Sequence, residues 1–136
     1  MLIQLDPGAK MPTRAHEHDA GLDLYAMRGA TIAPHSFETI DTGVHMAIPH
    51  GFVGLLTSKS GLMAKSGLTC RGTIDPDYTG AIQAVIFNHS NQPVRIEAGQ
   101  KVTQIVFMPV WFPDLVRVGK LPEAERGDNG FGSTGK

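Results

Sequence analysis

The stretch Leu68-Thr-Cys-Arg-Gly-Thr-Ile-Asp75, then Pro76-Asp-Tyr-Thr-Gly80 and Ala81-Ile-Gln-Ala-Val-Ile-Phe-Asn88, decides the fold class of this 136-residue chain. In the first run, apolar residues at positions 68, 70 and 74 alternate with polar residues, which is the period of a half-buried β-strand. The last run is rich in β-branched residues, and the turn between them carries proline and glycine. The segment therefore predicts two antiparallel strands joined by a five-residue turn.

Similar strand-like segments occur along the rest of the chain. They cover residues 2–6, 20–26, 39–48, 52–56, 94–98, 102–110 and 115–118. Only Ser60–Lys65 predicts a helix, a short one that Gly67 would end. Sixteen glycines and nine prolines, spread along the chain, exclude long helices. About ten short strands with almost no helix predict an all-β antiparallel sandwich, jelly roll or barrel.

The composition excludes several classes of protein. With 41% hydrophobic and 18% charged residues, the chain is expected to fold as one domain. A net charge of −1 argues against binding to a nucleic acid backbone. The longest apolar run, Ile105–Phe112, is interrupted by Pro109 and is far shorter than the roughly 20 residues that cross a membrane. A single cysteine and the lack of a signal-peptide pattern favour a cytoplasmic protein.

Several residues carry chemistry that the sequence alone leaves open. Asp75 ends a strand beside the turn, where it could activate water as a general base or only stabilise the turn. Tyr78 at the turn tip could stack on a sugar or base, or be an ordinary surface residue. The run Thr57–Gly61 could bind an anion, or Ser60 could simply cap the helix. Asp23 could contact the waters of Mg²⁺, or be solvated.

The C-terminal segment Glu125–Lys136 differs from the rest because it combines glycines with hydroxyl, basic and aromatic residues. It has too little apolar surface to order itself, so it could be a frayed tail. Alternatively, Arg126, Ser133 and Thr134 could surround a phosphate while Phe131 covers a base, which would order the tail only when ligand is bound.

Five segments, in order, resemble the motifs of the trimeric dUTPase family. They are Ala20-Gly-Leu-Asp-Leu24, Ser58-Lys-Ser-Gly-Leu-Met-Ala-Lys65, Gly72-Thr-Ile-Asp-Pro-Asp-Tyr-Thr-Gly80, Gly99-Gln-Lys-Val-Thr-Gln104 and Arg126-Gly-Asp-Asn-Gly-Phe-Gly-Ser-Thr-Gly135. The family hydrolyses dUTP to dUMP and pyrophosphate, which keeps uracil out of DNA and supplies dUMP for thymidylate synthesis. The resemblance implies a jelly-roll β domain over residues 1–125, a mobile lid over 126–136, and a homotrimer with active sites shared between subunits.

The resemblance also implies roles for individual residues. Asp75 is expected to activate the attacking water, Tyr78 to pack under the deoxyribose and reject ribonucleotides, and Asp23 to contact Mg²⁺ through its waters. The backbone around Thr69, Cys70 and Gly72 is expected to read uracil. The other expected substrate-binding residues are Lys59, Ser60, Gly61, Gln83, Gln104, Arg126, Phe131, Gly132, Ser133 and Thr134.

Two positions depart from the usual family pattern. Lys59 stands where arginine is usual, so a bidentate contact is lost, and Asn129 stands where the tail usually has glycine. Two other functions fit the fold class: a deoxycytidine triphosphate deaminase, and a non-catalytic β trimer that binds protein. The GFGSTG tail argues against the first, and the five motifs together argue against the second. A regulatory protein partner stays open.

Overall fold

A computed structural model describes residues 1–128 of the chain. Within them the chain forms ten strands and one helix: β1 (Leu2–Leu5), β2 (Gly21–Tyr25), β3 (Ala30–Ile32), β4 (Phe37–Asp41), β5 (Val44–Ala47), β6 (Phe52–Ser58), α1 (Ser60–Ser66), β7 (Leu68–Ile74), β8 (Gln83–Asn88), β9 (Val94–Ile96) and β10 (Lys101–Pro109). The prediction of an all-β antiparallel fold with one short helix is confirmed. No helix in this part of the chain is long and apolar enough to span a membrane.

Six strands form the main sheet, in the order β2-β10-β6-β7-β8-β4, with antiparallel neighbours throughout. Two small sheets, β1-β5 and β3-β9, complete the fold. Side chains from all three sheets form one apolar core. Its largest fully buried aliphatic members are Leu24, Ile32, Leu68, Ile82, Ile86, Ile96, Ile105, Val44 and Val102.

The segment that decides the fold class is two antiparallel strands, as predicted, but their turn is longer. β7 pairs with β8 only from Leu68 to Cys70, and further along it pairs with β6 alone. Residues 75–82, hereafter the 75–82 loop, join the two strands. The loop extends as far as Ile82 because this residue hydrogen-bonds to Thr42 and to Val44 of β5 and does not pair with β7. Its N–H donates to the carbonyl of Val44, and the hydroxyl of Thr42 donates to the Ile82 carbonyl at 2.7 Å.

Two strand predictions are wrong in detail, and one strand was not predicted. Residues 39–48 form two strands because the chain turns at Gly43, whose φ of 61° suits glycine and whose N–H donates to Asp41 Oδ1. Strand β3 was not predicted, because its three residues show too short an alternation. Residues 115–118 form no strand; they are exposed, as is Trp111, and this apolar stretch lacks a strand partner among residues 1–128.

Candidate active site

Strand β10 brings the first group of predicted residues together. It lies between β2 and β6, so Gln104 is opposite Asp23 on one side and Thr57 on the other. The Gln104 side chain lies against Gly21, where an added Cβ would collide with its amide oxygen. The first and fourth motifs are therefore adjacent. Glycine stands two residues before Asp23 in β2 because Gln104 occupies the space that a side chain at position 21 would need.

Asp23 is buried with only 4% of its surface exposed, so the alternative of a solvated strand residue is wrong. Lys59 donates to its Oδ1, and Lys101 Nζ lies 2.7 Å from its Oδ2. Burial acts to raise the pKa of Asp23, but the ammonium groups of Lys101 and Lys59 outweigh it and hold this pKa below its ordinary value. The carboxylate raises the pKa of Lys101 in return. Lys101 was not among the predicted site residues, although it lies within the fourth motif.

Lys59, and not Ser60, is the N-cap residue of α1. Its backbone is extended, with φ −79° and ψ 122°, and no side chain bonds the first turn of α1. The alternative in which Ser60 caps the helix is therefore wrong, and Ser60 is an exposed helical residue. Around Gly61 the space is open, since an added Cβ would meet nothing within 4 Å. Gly67 ends the helix with a φ of 64°, as predicted.

The carboxylate oxygens of Asp23 are suited to contact a hydrated Mg²⁺ ion that is itself bound to phosphate groups. Among residues 1–128, no group of three or more His, Cys, Asp or Glu side chains could hold a metal ion by itself. Asp23 is ionised, and each of its oxygens accepts one lysine bond and keeps a second lone pair for a water. Mg²⁺ retains several waters and commonly uses one carboxylate together with substrate phosphates. His16 to Asp19 form a surface loop.

The second group of predicted residues surrounds the start of the 75–82 loop. Asp75, Tyr78 and Gln83 line one open cavity of about 170 Å³. Tyr78 is 44% exposed, and its hydroxyl donates to the carbonyl of Ala81 at 2.8 Å. Its ring lies over Gly80, where an added Cβ would be 2.7 Å from the hydroxyl oxygen. Because Gly80 has no side chain, the tyrosine ring can lie in this orientation beside Asp75.

Next to this cavity lies a groove of about 580 Å³ between β6 and β7, and both depressions are lined by Thr73. Thr69, Cys70 and Gly72 line the groove, with Phe87 from β8. The Cys70 side chain is buried, and burial raises the pKa of its thiol. Its backbone N–H donates to Ser58 Oγ at 2.9 Å, and the Ser58 hydroxyl donates back to the Cys70 carbonyl.

Two residues that shape this groove were missed by the sequence analysis. Ser58 connects the end of β6 to β7 through Cys70, as described above. His89 Nε2 lies 2.7 Å from Thr69 Oγ1, and the His89 ring stacks near Phe87. Ser58 opens the second motif, which was the available signal. His89 has no such signal, because only the pairing of β7 with β8 brings it beside Thr69.

The two groups lie at opposite ends of β6 within one chain. Asp75 follows Ile74, which is opposite Gly54, whereas Lys59 follows Ser58. Gly54 and Ser58 are four residues apart, which is about 14 Å along a strand. One subunit therefore does not bring Asp75 and Lys59 into contact.

Arg126 is exposed beside a turn in which Gly127 N–H donates to the Ala124 carbonyl. The other predicted tail residues, Phe131, Gly132, Ser133 and Thr134, lie outside the described residues.

The chain is similar to known proteins along nearly its full length. A dUTPase family model matches residues 8–135. The chain is 43% identical to the deoxyuridine 5'-triphosphate nucleotidohydrolase of Corynebacterium efficiens, over 99% of this chain and 77% of that protein. It is 39% identical to the protein of that name in Picosynechococcus sp., over 98% and 96%.

Solved structures agree with the sequence comparisons. A mutant dUTPase of Staphylococcus bacteriophage 80alpha with dUpNHpp matches with a TM-score of 0.90 and 32% identity, over 99% of both chains. A dUTPase from phage phi11 of S. aureus, described with a coordinated structural Mg(II) ion, matches with a TM-score of 0.79 and 30% identity, over 88% of this chain and 98% of that one. With the motifs placed on the matching fold, this chain belongs to the dUTPase family.

Proposed function

We propose that this chain hydrolyses dUTP to dUMP and pyrophosphate by attack of water on the α-phosphorus, with Asp75 as general base and Mg²⁺ as cofactor. The observation that carries the proposal is the shared cavity of Asp75, Tyr78 and Gln83 beside the groove of Thr69, Cys70 and Gly72. An accessible carboxylate, an aromatic ring and a groove between two strands thus lie next to one another. These are the parts that a water attack on a nucleotide requires.

Asp75 suits the role of base because of its position. It follows directly on Ile74, whose side chain is 8% exposed and fixes the end of β7, while its own carboxylate faces solvent. A carboxylate on a fixed strand end can hold one water in a constant direction, which is how positioning lowers the barrier. Asp77, 84% exposed on the same loop, lacks such an anchor.

Tyr78 and the groove account for nucleotide selection in this proposal. The tyrosine ring, held by Ala81 and Gly80, would lie under the deoxyribose and leave no room for a 2′-hydroxyl. The slot at Thr69 and Gly72 would read uracil through backbone groups, and a narrow slot rejects cytosine by mismatched hydrogen bonds. The bonds of Cys70 to Ser58 support this role by holding the slot's backbone in place.

The phosphates would bind at the other group of residues. Lys59, Lys101 and Asp23 together carry one surplus positive charge, and Gln104 lies beside them. Ser60, Gly61 and Gln104 would donate to phosphate oxygens, and Asp23 would accept from Mg²⁺-bound waters. When bound, Mg²⁺ neutralises phosphate charge, which favours attack by water. Lys59 stands where the family usually has arginine. Its ammonium group offers a point charge to the phosphates and not the planar fork of a guanidinium group.

We further propose that the active sites are shared within a homotrimer. Asp75 follows the residue opposite Gly54 and Lys59 follows Ser58, and these two β6 residues are about 14 Å apart, so a triphosphate site needs the two groups from different subunits. The exposed stretch with Trp111 at 83%, Leu115 at 92% and Val116 at 80% exposure also requires a partner surface. Residues 126–136, including Gly132, would close over the bound nucleotide, with Phe131 on the base and Arg126, Ser133 and Thr134 on the terminal phosphate. Closure would exclude bulk water.

The test is a nucleotide panel, assayed with and without magnesium. We expect pyrophosphate release from dUTP with Mg²⁺ and much slower turnover of dCTP, dTTP and UTP. Equal rates for all four nucleotides would refute the selection described above. Ammonia release from dCTP would indicate the deaminase, and no turnover of any nucleotide would favour the non-catalytic trimer.

A further inference from the structure

His45 connects the 75–82 loop to the N-terminal part of the fold. It lies on β5, and its Nδ1 is 2.9 Å from the Thr79 carbonyl oxygen. Its Nε2 is 3.2 Å from Oδ1 of Asp6, which directly follows β1. The side chain is 22% exposed, so most of its surface lies against these elements. One ring therefore bridges the loop tip and the chain segment after the first strand.

Both partners of the His45 ring are hydrogen-bond acceptors. A backbone carbonyl cannot donate, and neither can an ionised carboxylate. Neutral imidazole carries one N–H, whereas the imidazolium carries two. The bridge to Thr79 and Asp6 is complete only when His45 is protonated.

The charges around His45 favour the protonated ring. The carbonyl of Thr79 makes the largest contribution in raising the pKa of His45, and the carboxylates of Asp6 and Asp41 add to it, while burial partly opposes them. Asp6 follows β1, Asp41 ends β4, and the β1 residue opposite His45 is the uncharged Gln4. The charged form thus persists above the ordinary pKa of 6.5.

Thr79 directly follows Tyr78, the residue with which the proposed function selects the sugar. The end of the loop is fixed separately, by Ile82 N–H to Val44 and by Thr42. His45 acts nearer the tip, one residue from the tyrosine. A change at His45 would therefore move the nucleotide platform while leaving the loop's attachment to β5 in place.

We propose that His45 is a positioning residue that holds the tip of the 75–82 loop, and with it Tyr78, through a doubly donating imidazolium. This inference rests on the proposed function, in which Tyr78 contacts the deoxyribose.

When His45 loses its proton, one of its two contacts becomes repulsive. The carboxylate of Asp6 is the stronger acceptor, so the remaining proton stays on Nε2 and the lone pair of Nδ1 faces the Thr79 carbonyl. The loop tip is then released. Because the folded pKa lies above 6.5, the bridge is complete below that pH and is lost as pH rises through the folded value.

The sharpest test is Asp6→Asn. An asparagine amide can donate to Nε2 of neutral imidazole, which leaves the only ring proton on Nδ1 for Thr79. We expect the KM of the wild-type protein for dUTP to rise about three- to tenfold as pH passes through the His45 pKa, with a smaller change in kcat. In Asp6→Asn this rise should disappear. The pKa of His45 itself is read from its imidazole NMR signals.

Two further variants complete the series. His45→Ala should have a raised KM at every pH and no titration, and His45→Gln should restore part of the loss because its amide can donate to Thr79. His50→Gln serves as a control, since its ring is 82% exposed and, among residues 1–128, pairs with the exposed Asp77 alone. Its profile should match the wild type.

Hydrogen exchange without nucleotide separates this inference from the proposed function. Protection of loop amides 77–80 should fall with pH in the wild type, stay constant in Asp6→Asn, and be low throughout in His45→Ala. Identical KM profiles and identical protection in the wild type and Asp6→Asn would overturn the role of His45. If no variant hydrolyses dUTP, the proposed function fails, and the exchange profile still decides whether His45 holds the loop.

Discussion

Lys101 Nζ lies 2.7 Å from Asp23 Oδ2, across the pairing of β10 with β2, while Lys59 donates to the other carboxylate oxygen. Two cations on one buried anion leave a positive charge unbalanced. An anionic ligand such as a triphosphate would balance this charge. The charges around Asp23 therefore give a reason for anion binding that is independent of the motif resemblance.

Replacing Asp23 by Asn should lower stability in a pH-dependent way. The folded pKa lies below 3.8, so the carboxylate stabilises the fold above that pH, and this contribution is lost as pH falls through the folded value. We expect a loss of about 1–3 kcal/mol in the free energy of unfolding at pH 7. Urea titration at pH 7 and pH 3 measures it. Asp114→Asn, on an exposed residue, is the control. A deficit as large at pH 3 as at pH 7 would contradict the ion-pair explanation.

Lys59 should be replaceable by arginine but not by an uncharged residue. Lys59→Arg keeps the charge for Asp23 and adds a planar fork for phosphate, so kcat/KM for dUTP should stay within about threefold of the wild type. Lys59→Met removes the charge and should lower kcat/KM about tenfold or more. Steady-state pyrophosphate assays compare them. Equal activity of both variants would show that Lys59 does not bind the phosphates.

Asp75→Asn should abolish most turnover and leave nucleotide binding intact. The amide keeps the shape of the side chain but cannot take a proton from water, so kcat should fall about 10²- to 10⁴-fold. Calorimetric titration with dUTP checks binding, and pyrophosphate release checks turnover. Asp77→Asn is the matched control, because it changes the exposed acid two residues away. Normal turnover by Asp75→Asn would show that another group activates the water.

Gly80→Ala should weaken the discrimination between dUTP and UTP. The new methyl group would be 2.7 Å from the Tyr78 hydroxyl oxygen, so the ring must move and its bond to Ala81 is strained. We expect the ratio of kcat/KM for dUTP over UTP to fall about tenfold. Gly119→Ala is the control, since its added Cβ meets nothing within 4 Å. An unchanged ratio would mean that Tyr78 does not select the sugar.

Deletion of residues 126–136 should spare assembly and depress turnover. The apolar stretch that includes Trp111 and Leu115 lies before the deletion, so sedimentation should still give a trimer. The kcat for dUTP should fall about tenfold or more, because water is no longer excluded. A truncated chain that is unfolded, or one with full turnover, would contradict the lid.

The sequence by itself determined the local features of this protein. Alternation placed Leu68, Cys70 and Ile74 in the core, and glycine at position 67 ended the only predicted helix. The motif order also predicted site roles for Asp75 and Tyr78, and these two residues line one cavity. These features depend on side-chain period, turn chemistry and motif residues within a few positions, all of which are visible along the chain.

Tertiary structure alone decided which of these residues meet. Lys101 meets Asp23 because β10 pairs with β2, and His45 meets Thr79 because the 75–82 loop folds onto β5. The separation of Asp75 from Lys59 follows from the register of β6 with β7. Alternation shows which face of a strand is buried but not which strand lies beside it, since pairing depends on how the whole core closes.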